Sequence, residues 1–180
     1  MGTLGLGSAV NNTLNRGVED MAKVGDKVPS ATLYELGPEG PKPVKTEELF
    51  APGKKVVAFA LPGAFTPTCS AKHVPGFVAD ADKFKAKGVD TIACISVNDA
   101  FVMGAWGKDQ KAGDKVRMLA DGSAKFAQAM GLPMDLTERG MGVRSQRYAM
   151  VVDNGVIKDL FVEKPGAFEV SAAENVLKHL

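Results

Sequence analysis

The chain has 180 residues, 45% of them hydrophobic and 24% charged, the balance of one ordinary folded domain rather than a disordered or fibrous chain. Its 22 basic and 21 acidic residues are interspersed to a net charge of +1, which leaves neither a basic face for nucleic acid nor an acidic tail. The longest apolar runs, such as Val56 to Leu61, fall far short of the roughly 20 residues of a membrane helix, and two cysteines, Cys69 and Cys94, are too few for a secreted disulfide framework or a zinc cluster.

Residues 1–22, rich in Gly, Asn, Ser and Thr, read as a flexible arm ahead of a domain over 23–180. One arginine, Arg16, is few for an organelle-targeting segment. A reducing cytoplasm is the expected home, with a mitochondrion or other organelle as the alternative if the arm is a trimmed targeting segment. The Pro38 to Pro43 stretch predicts a turn within an early hairpin. Lys55 to Leu61 is a short apolar run ending at Pro62-Gly63 and predicts a buried strand. From Thr68 to about Lys87 the residues Val74, Phe77, Val78, Ala81 and Phe84 recur at helical spacing, with a kink expected at Pro75 and a stop at Gly88. Val89 to Val97 predicts a strand, the segment around Phe101 to Trp106 a helix, Val116 to Ala120 a strand and Ala124 to Met130 a short helix. Tyr148 to Asp153 and Val156 to Val162 form a hairpin about Asn154-Gly155. Ser171 with Glu174 predicts a capping box for the last helix. Strands alternating with helices, then a hairpin and a final helix, give an α/β class with a thioredoxin-like layout: a central mixed sheet flanked by helices.

The chemistry concentrates in Leu61 to Cys69 (LPGAFTPTC), a strand-to-helix junction. With Thr66 as N-cap and Pro67 at the first helical position, Cys69 falls in the first turn, where unpaired N–H groups and the helix dipole favour thiolate over thiol. The Thr66 hydroxyl can bond a bound oxidant and Pro62 can shield the sulfur from water. Arg144 and Arg147, just before the strand from Tyr148, are candidate cations. Each residue also has a plainer reading: Cys69 as a buried small hydrophobe, Thr66 as a cap alone, Pro62 as a strand end, the arginines as surface ion-pair partners. His73 reads as a helix-surface or core-edge histidine, and Phe65, Phe101 and Trp106 as core or dimer-contact aromatics.

Pro62, Thr66 and Cys69 together form the P-x-x-x-T-x-x-C motif of peroxiredoxins, and GAFTPTC with CISVNDAFVMGAW (Cys94 to Trp106) resembles the plant-like type II or peroxiredoxin-5 subfamily. The resemblance runs from about Val24 to Leu180. It implies a thioredoxin-like fold and an antioxidant thiol peroxidase acting on hydrogen peroxide and organic hydroperoxides through a Cys69 sulfenic acid. It further implies Arg147 in RYAMVVDNG as the active-site arginine, a homodimer, and regeneration by glutathione and glutaredoxin or by thioredoxin, without metal, flavin or haem. Cys94 matches the resolving cysteine of plant-like relatives, yet mid-strand in a covered sheet it is equally a buried bystander. Mammalian relatives carry a resolving cysteine near the position of Ser171. A disulfide-reducing transferase and a redox relay to a partner protein are the competing functions for such a thiol.

Overall fold

The computed structural model describes residues 21–180. The expected arm over 1–22 lies outside that span except for Met21 and Ala22, and Ala22 is already buried, its N–H bonded to the Met130 carbonyl. A hairpin of β1 (Thr32–Gly37) and β2 (Gly40–Lys45) comes first. Only Pro38 and Glu39 of the proline-rich stretch make the turn; Pro41 and Pro43 lie within β2, which tolerates them because it is the edge of the sheet. After the short α1 (Thr46–Leu49), the expected buried strand is β3 (Lys55–Leu61).

The helix expected from Thr68 to Lys87 is interrupted. A π turn, Cys69–His73, precedes α2 (Val74–Ala79), and Asp80 separates α2 from α3 (Ala81–Ala86). The proline ring of Pro75 would meet the carbonyl four residues back in a regular α-helix; the wider turn immediately before it, in which the Val74 N–H reaches the Cys69 carbonyl, relieves that clash. Gly88, at φ 86°, ends α3 with the paired bonds Val89 N–H to Phe84 and Gly88 N–H to Lys85. Then follow β4 (Thr91–Ser96), α4 (Ala100–Asp109) capped by the Asp99 carboxylate on the Val102 N–H, β5 (Arg117–Ala120) and α5 (Lys125–Ala129).

A two-stranded ribbon, β6 (Pro133–Leu136) with β7 (Gly142–Ser145), has no counterpart in the sequence reading, since four-residue strands with few apolar positions carry no period. The hairpin β8 (Tyr148–Asp153) and β9 (Val156–Val162) turns at Asn154-Gly155, both at positive φ as a type I′ turn requires. The last helix, α6 (Ala173–Lys178), starts later than expected: its N-cap is Ala172 and no side chain caps it. Ser171 and Glu174 therefore form no capping box. The Ser171 hydroxyl donates instead to the Glu163 carboxylate at 2.7 Å, a buried charge that needs donors more than an exposed helix end does.

The main sheet runs β2-β1-β5-β4-β3-β8-β9, with β3, β4 and β5 parallel and the rest antiparallel to their neighbours. Alternation along β3 explains its continuous apolar run: Val57, Phe59 and Leu61 face one core with Cys69, Phe77, Cys94 and Trp106, while Val56, Ala58 and Ala60 face the other with Leu33, Phe126 and Tyr148. The first core holds a ladder of rings, Phe59 on Phe77 at 4.1 Å and Phe77 on Phe84 at 5.4 Å. Such contacts add about 0.5–1.5 kcal/mol each beyond the area they bury.

On this sheet α4 packs closely enough that a Cβ on Gly104 would collide with the Leu36 side chain of β1. Gly104→Ala is therefore expected to destabilise the fold by about 1–3 kcal/mol despite its better helix propensity, measured as a lowered denaturant midpoint at unchanged slope; an unchanged or raised midpoint would contradict the packing.

Candidate active site

Pairing register brings the expected site together at one end of the sheet. Ala60 of β3 lies opposite Tyr148 of the antiparallel β8, so the residue before Tyr148 stands beside the point where β3 gives way to the Pro62–Thr66 loop. That residue is Arg147. Its Nη2 donates to Cys69 Sγ at 3.1 Å. Cys69 occupies the first turn after the loop, with Ser70 N–H bonded to the Thr66 carbonyl at 3.0 Å, and its side chain is fully buried.

The Pro62–Thr66 loop is held from two sides. Asn98 accepts from the Ala64 N–H at 2.9 Å and from the Ser96 hydroxyl at 2.6 Å. Arg144 donates through Nη1 to the Pro62 carbonyl at 3.1 Å and through Nε to the Met141 carbonyl at 2.9 Å. A Cβ on Gly63 would lie 2.5 Å from Arg144 Nη1, so this clamp depends on glycine. The Thr66 hydroxyl donates to the Gly63 carbonyl at 2.6 Å and makes no side-chain cap, contrary to the N-cap expectation, although its carbonyl does open the helix. Phe65 between them sits at φ 61°, a conformation that costs a non-glycine residue about 1–3 kcal/mol and persists only where surroundings enforce it.

The structure thus keeps Pro62, Thr66 and Cys69 on one junction with Arg147 on the sulfur, and assigns Arg144 to the loop instead. His73, expected at a helix surface or core edge, is fully buried against Phe59, Phe77 and Phe168, with ring centroids at 4.8, 5.7 and 5.1 Å. Its Nε2 lies 3.1 Å from the Ser171 carbonyl, to which it can only donate, and its Nδ1 accepts from Arg147 Nη1 at 2.8 Å. One neutral tautomer satisfies both contacts. The i, i+4 relation to Cys69 on one helix face was the signal in the sequence. Asn98 carried none, and Arg144 only the one it shared with Arg147, because the fold sets their partners across the loop.

Cys94 lies mid-strand in β4, fully buried between Phe59 and Met118 and free of any disulfide. Burial pushes its thiol far up, the nearby Cys69 adds to this, and Arg147 opposes it weakly. The Cys94 proton is therefore firmly held. His73 shifts the other way: burial, and then the Arg147 charge, lower it to about 3 against the opposing effect of its bond to the Ser171 carbonyl. A histidine depressed from an ordinary value of about 6.5 contributes stability that is complete above that pH and lost as pH falls toward the folded value. Between pH 7 and pH 5 the wild type is expected to lose about 2 kcal/mol more unfolding free energy than His73→Phe, read from denaturant titrations; equal losses would show that His73 is not buried neutral.

The chain is similar to known proteins in sequence and in fold. The redoxin family matches residues 23–177. Peroxiredoxin-2E, chloroplastic, of Arabidopsis thaliana is 52% identical over 160 residues, covering 87% of this chain and 68% of the relative. Arabidopsis peroxiredoxin-2D is 46% identical over 157 residues, covering 87% and 97%. The crystal structure of reduced Prx3 from Vibrio vulnificus in complex with hydrogen peroxide superposes with TM-score 0.84 at 56% identity, over 88% of this chain and 99% of that one. Nothing in these relatives supports the expected cytoplasmic home, and one of them is chloroplastic by name. With its thioredoxin-like mixed sheet, this chain belongs to the redoxin family and, within it, to the plant-like type II peroxiredoxins, which are thiol-dependent peroxidases.

Proposed function

We propose that Cys69 reduces hydrogen peroxide and small organic hydroperoxides and is itself oxidised to a sulfenic acid. The observation that carries this reading is the 3.1 Å contact from Arg147 Nη2 to Cys69 Sγ, a cation fixed on a sulfur at a helix start. The thiolate attacks the terminal peroxide oxygen. The S–O bond forms as the O–O bond breaks, the sulfur gives up two electrons, and the departing oxygen takes a proton and leaves as water or alcohol. Thr66 suits the incoming group: its own hydrogen is committed to the Gly63 carbonyl, so the oxygen lone pairs remain to accept the peroxide O–H. Arg147, already oriented by His73, faces the charge that develops along the breaking bond. Pro62, whose carbonyl Arg144 holds, keeps the loop over the sulfur.

Cys69 is fully buried, so both peroxide entry and later attack by a reductant need the loop or the π turn Cys69–His73 to give way. Cys94 is a poor resolving thiol in this setting, since it sits mid-strand with its proton held by burial. Regeneration by an external thiol, glutathione with glutaredoxin or else thioredoxin, follows. The exposed rings of Phe65 and Phe101 supply apolar surface for the homodimer that the family resemblance implies.

Cys69→Ser is expected to abolish peroxide consumption. Arg147→Ala should lower the second-order rate constant by about a hundredfold while leaving the circular dichroism spectrum unchanged, and an active Cys69→Ser protein would end the assignment. For the resolving step, a non-reducing peptide map of the protein oxidised by one equivalent of peroxide should contain no Cys69–Cys94 disulfide, and Cys94→Ser should turn over with glutathione and glutaredoxin at the wild-type rate. A disulfide in that map would restore Cys94 as the resolving cysteine.

A further inference from the structure

Glu163 is buried at 7% exposure, immediately after β9, and among the described residues no basic side chain is bonded to it. An isolated carboxylate in such a place is costly unless donors surround it. Four do. The N–H groups of Glu169, Val170 and Ser171 reach it at 2.7, 3.2 and 3.0 Å, and the Ser171 hydroxyl at 2.7 Å. Burial pushes the Glu163 carboxyl up, but the Ser171 bonds and then those of Glu169 and Val170 outweigh it and hold the group below the usual carboxylate range. Glu163 thus folds the segment between β9 and α6 around its own charge.

That segment ends on the site. Its Ser171 carbonyl accepts from His73 Nε2, and its Phe168 ring lies edge-on to His73 and 5.8 Å from the Arg147 guanidinium carbon. Pairing of β8 with β9 also bonds the Glu163 N–H to the Arg147 carbonyl at 3.0 Å. Glu163 therefore acts on Arg147 from two directions, through the backbone beside it and through Ser171 and His73 to the guanidinium. We infer that Glu163 is a positioning residue for the peroxidase reaction, acting through Ser171 and His73 to fix the Arg147 guanidinium on the Cys69 sulfur. The inference rests on the reading of Arg147 given above. Glu163 touches neither the sulfur nor the oxidant.

Two readouts test it. In a double-mutant cycle, Glu163→Ala is expected to lower the second-order rate with hydrogen peroxide by about tenfold in the wild-type background, the scale of one displaced charge-assisted hydrogen bond. It should change that rate less than twofold in an Arg147→Ala background. The other readout is independent of activity. The His73 Nε2–H resonance, protected by the Ser171 carbonyl, should be observable by NMR in the wild type and lost in Glu163→Ala. Glu163→Gln, which keeps the shape and one acceptor, should fall between the two, and it replaces the alanine variant should that one not fold. Glu35→Gln removes a carboxylate paired with Arg117 on the far side of the sheet and should alter neither readout. An equal loss of rate in both backgrounds, or an unchanged His73 resonance, would overturn the inference. An inactive wild type would instead overturn the peroxidase reading.

Discussion

A single charge-assisted contact, Arg147 on the Cys69 sulfur at 3.1 Å, is what the surrounding structure is arranged to hold. The two residues lie far apart in sequence and meet because β8 pairs with β3 in a register that sets Tyr148 against Ala60. A slip of one residue would turn every side chain of β8 to the other face. It would take Ala149 and Val151 out of the core beneath Cys69, which they share with Phe59 and Phe77. The apolar pattern that stabilises the sheet is therefore also what places the cation.

The site combines groups pinned in their states by opposite environments. His73 is kept neutral by burial and by Arg147, which leaves its Nδ1 free to accept from the guanidinium and its Nε2–H to reach Ser171. Glu163 stays charged despite burial because the Ser171 hydroxyl and the N–H groups of Ser171, Glu169 and Val170 donate to it. Between them the guanidinium has few orientations left, and a preoriented donor needs no reorganisation when charge develops on the oxidant. Against this rigidity stand two irregular features, the strained positive φ of Phe65 and the wide π turn that carries Cys69. These are the elements that must yield if a fully buried sulfur is to meet first a peroxide and then a thiol.

Much of this was legible in the sequence where the signal was local. The apolar run of β3 and the Asn154-Gly155 hairpin each depend on neighbours a few residues away, and each stands as read; the Pro62 to Cys69 segment does join a strand to a helix, but the Thr66 hydroxyl bonds the Gly63 carbonyl and does not cap that helix. Arg147 needed the family resemblance, because only strand pairing decides between it and Arg144. The Ser171 and Glu174 pattern was a sound local signal defeated by a distant competitor, the buried Glu163 carboxylate. Asn98 and Glu163 were illegible for the same reason in reverse, and His73, though placed i, i+4 from Cys69, was read as a helix-surface or core-edge residue: their side chains serve partners brought near only by the fold. The ribbon of β6 and β7 left too short a pattern to find.

The most direct test of the central claim is chemical trapping at the sulfur. Fully reduced protein, mixed with one equivalent of hydrogen peroxide in the presence of dimedone and digested for mass spectrometry, should carry one dimedone adduct, on the peptide containing Cys69 and not on that of Cys94. An adduct confined to Cys94, or peroxide consumed with Cys69 left as a free thiol, would contradict the account.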